Sequence, residues 1–108
     1  MKEEEQAAQL LQALGHPLRF KILDFISTGE RCVCEVMSAA DVKHSLVSRH
    51  LSVLRQACVL ESRREKTRVF YRVRDPAVLT ICELARAIIV RRKEELAKLL
   101  ATMTSLER

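Results

Sequence analysis

Apolar positions recur along most of the chain at the three- and four-residue spacing of a helix, and they switch to alternation only between residues 60 and 74. Glu4 to Leu14 sets Ala7, Leu10, Leu11 and Leu14 on one side, with its acidic residues at the helix end that favours them. Gly15 ends that segment. Pro17 suits the first turn of a second helix carrying Leu18, Ile22, Phe25 and Ile26, which Ser27-Thr28-Gly29 closes. Val33 to Ala40 predicts a short third helix, followed by a turn at Asp41-Val42-Lys43. In the next helix, His44 to Ala57, the residues Val47, Leu51 and Leu54 recur at i, i+4 and i+7 and should face the core. His44, Ser45, Ser48, Arg49 and, at the margin, His50 are left outward.

From Leu60 the period becomes two. Val69, Tyr71 and Val73 alternate with Phe70, Arg72 and Arg74, a β-branched and aromatic pattern that predicts a strand. Leu60-Glu61-Ser62 would be its partner and Arg63 to Arg68 the tip of the hairpin. Pro76 opens a long last helix with Val78, Cys82, Ala85, Ile89, Leu96, Leu100 and Met103 on one stripe. That stripe is longer than a chain of 108 residues needs for its own core, so with the first helix it reads as the seam of a homodimer. The expected fold is mainly α with a β-hairpin wing, a single winged helix-turn-helix domain over residues 1–108.

Composition narrows the function. A hydrophobic content of 48% supports a globular domain, and 108 residues leave little room for a separate ligand-binding module, so sensing and output are expected to share one core. No run of eighteen apolar residues occurs and the opening Met1-Lys2-Glu3-Glu4-Glu5 is wrong for a signal peptide; a cytoplasmic protein with no membrane partner is expected. Between residues 43 and 74, nine basic side chains face only Glu61 and Glu65, while the whole chain has a formal net charge of +5, so the flanks are net acidic. A basic block between acidic flanks is the footprint of a polyanion-binding surface. Two helices in tandem, the second polar and basic on its exposed face, fit a recognition helix in a major groove, and a basic hairpin beside them fits a wing reaching phosphates. Double-stranded DNA is the expected partner, with His44, Ser45, Ser48, Arg49 and His50 on the helix and Arg63, Arg64, Lys66 and Arg68 on the wing as contacts.

The candidate chemistry lies in four cysteines, at 32, 34, 58 and 82. Cys82 on its apolar stripe reads as a small core hydrophobe. Cys32 and Cys34 do not, because an i, i+2 pair is poor core patterning. On a regular helix those positions point about 200° apart, so a shared ligand needs non-helical backbone at the start of the third helix, or distorts it. A helix N-terminus and the adjacent Arg31 should favour thiolate there. No sequence motif joins a nucleophile, a base and an orienting acid, and an enzyme is not expected.

Gly15-His16-Pro17-Leu18-Arg19, Glu30-Arg31-Cys32-Val33-Cys34-Glu35-Val36, Val47-Ser48-Arg49-His50-Leu51-Ser52-Val53-Leu54-Arg55 and Val69-Phe70-Tyr71, in this order, resemble the ArsR/SmtB family of metalloregulatory repressors. The Cys-Val-Cys pair resembles its arsenic- and antimony-responsive branch. The resemblance implies a winged-helix homodimer that leaves its operator when As(III) or Sb(III) binds Cys32 and Cys34; thiolates are the right donors for such soft ions. Some members have a third cysteine where this chain has Met37, so any third sulfur comes from Cys58, a possible third ligand, from Cys82, from a cellular thiol, or from nowhere. The histidines of zinc-sensing members are missing from the last helix, and the N-terminal cysteines of cadmium- and lead-type members are missing before Cys32. Redox or persulfide control through the same thiols is the alternative within this fold. A thiol enzyme or metal chaperone is a third reading, which leaves the basic block unexplained.

Overall fold

The computed structural model describes residues 2–107. Five helices and a three-stranded sheet follow one another as α1 (Glu3–Leu14), α2 (Pro17–Ile26), β1 (Arg31–Cys32), α3 (Val33–Ala39), α4 (His44–Gln56), β2 (Leu60–Glu65), β3 (Arg68–Val73) and α5 (Ala77–Leu106). Local chemistry sets these boundaries. Glu3, Glu4 and Glu5 occupy the first turn of α1, where backbone N–H groups lack partners. Pro17 opens α2, and His16 caps it by accepting the Leu18 N–H at Nδ1 over 3.0 Å. At the start of α3 the Cys32 N–H donates to Glu35 Oε1 at 3.1 Å.

Helix α4 stops in a Schellman motif. The Val59 N–H donates to the Leu54 carbonyl at 2.9 Å and the Cys58 N–H to the Arg55 carbonyl at 3.0 Å, with Cys58 itself at φ 60. This is the position where a left-handed residue, ordinarily glycine, lets a helix turn into the following strand.

The sheet has the order β1-β3-β2, antiparallel throughout. Strand β1 is absent from the expectation: two residues are too short to show a period, and their partner is the central strand β3, with Arg31 opposite Tyr71 and Cys32 opposite Phe70. The wing is also longer than expected. Register runs from Leu60 opposite Val73 to Glu65 opposite Arg68, so Arg63 and Arg64 lie in a strand and only Lys66 and Thr67 form the tip. Lys66 takes φ 57, which closes a two-residue turn without the usual glycine.

Leu14, Ile22, Leu23, Ile26, Val36, Val47, Leu51, Leu54, Val59 and Leu60 form one core, closed by Val78 and Cys82 from the first turns of α5. The remaining stripe on α5 is not in that core. Ile89, Leu96, Leu100 and Met103 are all about half exposed or more, and the helix projects from the body to give a longest dimension of 68 Å.

Candidate nucleic-acid interface and thiol pair

Helix α4 presents His44, Ser45, Ser48 and Arg49 on its exposed side, while Val47, Leu51 and Leu54 on the other are buried against α2 and β2. The first two turns of α4 therefore offer hydroxyl, imidazole and guanidinium donors on one face, the donor set that reads base edges and phosphates. His50 departs from the expectation. It is 5% exposed, accepts the Arg19 Nε–H at Nδ1 over 3.0 Å and lies 4.2 Å from the His16 ring, so it is not part of the outer surface. Its place one residue after Arg49 turns it inward by about 100° of helix, toward α2.

The wing divides its basic residues into two sets. Arg63 is committed: its guanidinium donates to both carboxylate oxygens of Glu30 at 2.6–3.0 Å and to Glu65 at 3.1 Å, and it covers the Phe70 ring at 4.5 Å. These carboxylates hold the Arg63 pKa above its ordinary value, and Arg63 in turn holds Glu30 below the usual carboxylate range. Arg72 is likewise paired with Glu61. Among the described residues Arg64, Lys66 and Arg68 enter no ion pair, and all three are exposed at or near the tip. Arg63 thus belongs to the brace of the wing, and Arg64, Lys66 and Arg68 are the cations free to meet a phosphate. Opposite charges facing each other across the strands, Glu61 with Arg72, were the available sequence signal for that brace.

The two thiols are near enough to influence each other's acidity. Cys32 is the cap of α3, with extended backbone at φ −67 and ψ 144, so the i, i+2 spacing does not carry the helical divergence that would separate the sulfurs. The neighbouring Cys34 thiol, the backbone N–H groups of Cys34 and Glu35 and the positive field of Arg68 together hold the Cys32 thiol below its usual value against the opposing effect of its burial. The neighbouring Cys32 sulfur and desolvation push Cys34 up. The arrangement is a buried, more acidic sulfur at Cys32 with a less acidic thiol at Cys34 exposed to solvent. Arg68 connects this pair to the tip of the wing, a link the sequence did not show.

Cys58 does not join them. Among the described residues no three side chains of His, Cys, Asp or Glu gather as metal ligands, so the expected third sulfur is not supplied within one chain. Cys58 is exposed at the end of α4, in the position fixed by the Schellman turn. Cys82 is buried, and burial raises its thiol pKa, as suits a core hydrophobe. No helix among the described residues is long and apolar enough to cross a membrane.

Known proteins share the fold and much of the sequence. Residues 16–61 match the family model described as bacterial regulatory protein, arsR family. The chain is 32% identical over 95 residues to the biofilm growth-associated repressor of Agrobacterium fabrum, covering 88% of this chain and 81% of that protein. It is 36% identical over 84 residues to the probable mercury resistance operon repressor of Streptomyces lividans, covering 78% and 67%. Among solved structures it is similar to the homodimeric winged helix-turn-helix DNA-binding domain Mb0332 of Mycobacterium bovis, with a TM-score of 0.73, 30% identity and 84% of each chain covered. With its winged fold and this extent of likeness, the chain belongs to the ArsR family of bacterial regulatory proteins and is a helix-turn-helix transcriptional regulator.

Proposed function

We propose that this protein is a homodimeric repressor that binds operator DNA through α4 and the wing and releases it when As(III) or Sb(III) is captured by Cys32 and Cys34. The observation that carries this reading is the placement of Cys32 on the extended cap of α3, opposite Phe70 of β3, with the exposed Cys34 one residue into the helix, so that two neighbouring thiols stand at the junction of β1, α3 and β3. A soft trivalent ion fits two neighbouring sulfur donors, and drawing both onto one ion would shift the start of α3. Both elements that would feel the change lead to the DNA surface. Helix α3 packs on α4, and Cys32 pairs with Phe70 on the strand that runs into the wing. Exposed apolar side chains along α1 and α5, Leu11, Ile89, Leu96 and Met103 among them, support a second copy as partner.

The test is fluorescence anisotropy of reduced protein on its own promoter DNA, titrated with arsenite or antimonite. Wild type should bind and be released, and Cys34→Ser should bind with near-normal affinity and stay bound. Release of Cys34→Ser by arsenite would remove the sensor. A second reading, redox or persulfide control, is favoured by one observation: two sulfurs are neighbours where trivalent arsenic prefers three. Binding indifferent to both ions but lost on oxidation, with a mass change confined to the peptide containing Cys32 and Cys34, would establish it.

A further inference from the structure

His50 is the one polar or charged side chain buried among the described residues, and it sits on the inner face of the DNA-reading helix. Neither the DNA surface nor the thiol pair uses it. Its Nδ1 accepts the Arg19 Nε–H at 3.0 Å, and the same guanidinium donates through Nη1 to the carbonyl of Ala13 at 2.9 Å. A chain of polar contacts therefore runs from the end of α1 through α2 into the middle of α4. The His16 ring, itself fixed as the cap of α2, lies 4.2 Å away from the His50 ring at 40°.

The hydrogen bond has a chemical condition. Arginine offers only N–H donors, so Nδ1 of His50 must carry a lone pair, and the ring must be the neutral Nε2–H tautomer. A proton on Nδ1 removes the acceptor and sets a second cation against Arg19 in a buried place. We propose that His50 is a positioning residue with a proton-sensitive latch: neutral, it ties α4 to α1 and α2 in the DNA-reading orientation, and protonated, it lets α4 go. The proposal rests on the DNA-binding reading above.

The surroundings all act in one direction. Burial lowers the His50 pKa from 6.5, and the charges of His16 and Arg19 on the α2 side and Arg49 on α4 itself add to it. No acidic group acts against them; α1, α3 and β2, which also pack on α4, contribute no charge that acts on this ring. With the folded value below the unfolded one, the latch is fully closed above pH 6.5 and opens as pH falls through the lower, folded value.

Two measurements test it. In a long-range 1H–15N spectrum of labelled protein at pH 7.5, His50 should be the Nε2–H tautomer with an accepting Nδ1; an Nδ1–H tautomer overturns the latch whatever the DNA does. Operator affinity is then compared between wild type and His50→Gln from pH 7.5 to 5.5 at constant ionic strength, with circular dichroism at each pH. The glutamine carbonyl can accept the same N–H and does not titrate. His50→Gln should match wild type within about threefold at pH 7.5 and bind tighter than wild type by a margin that grows as pH falls and stays below about tenfold at pH 5.5. His44, exposed at the start of α4, is common to both proteins and cancels. Parallel pH profiles overturn the latch. Promoter DNA left unbound by wild type at every pH overturns the repressor reading, and the latch as a device for DNA with it.

Discussion

Cys58 is the residue whose sequence signal was most easily mistaken. A third cysteine in a chain with a thiol pair invites a ligand role, yet its backbone, at φ 60, is the left-handed corner of the turn from α4 into β2. A side chain there costs about 1 kcal/mol relative to glycine. Cys58→Gly should raise Tm by roughly 5 °C, and Cys58→Ala, which keeps the β-carbon, should not. Neither change should alter the arsenite concentration that releases DNA. A right-shifted arsenite titration in both variants would return Cys58 to the ligand set. His50 erred the other way: its polarity suggested the surface, and only the position of Arg19 on another helix, 31 residues away, explains how its ring is satisfied inside.

At the scale of elements, periodicity predicted every helix to within a residue or so, because each carries one clear apolar stripe. The β-hairpin was legible for the same reason. What escaped was set by contacts distant in sequence: β1 exists only through Tyr71 and Phe70, and the extent of the wing follows from cross-strand pairs. The consequence for function is a division of labour among like-looking arginines. Arg64→Ala should weaken operator binding several-fold and lower the slope of log affinity against log salt by about one, as loss of a phosphate contact does. Arg63→Ala should leave that slope nearly unchanged and instead lower Tm, since it frees Glu30 and Glu65 and uncovers Phe70. Arg49→Ala, on the exposed face of α4, should lose more affinity than either, by about 1–3 kcal/mol. Equal salt slopes for Arg63→Ala and Arg64→Ala would refute the division.

The whole molecule is more extended than a compact domain of its length. Its radius of gyration is 18.2 Å, against roughly 13 Å for a compact domain of about 100 residues. The difference lies in α5, whose 30 residues reach about 45 Å. Along it Val78, Cys82, Ala85, Ile89, Arg92, Leu96, Leu99, Met103 and Leu106 follow alternating steps of four and three, the heptad pattern of a helix seated against another helix. The first two close the chain's own core, but Leu96 is 55% exposed, Leu99 56% and Leu106 81%. A seam that begins in the core and continues in solvent fits a second copy of α5, with Arg92 its one charged intrusion. Leu96→Glu with Leu99→Glu should therefore leave helicity unchanged, since both side chains are exposed in the single chain, while weakening the dimer about a hundredfold or more in sedimentation equilibrium. Operator binding should weaken with it, because two winged helices joined as a dimer read two half-sites and a single one reads only half. A doubly substituted protein that stays dimeric at nanomolar concentration would move the interface to α1 and leave the outer half of α5 without a partner.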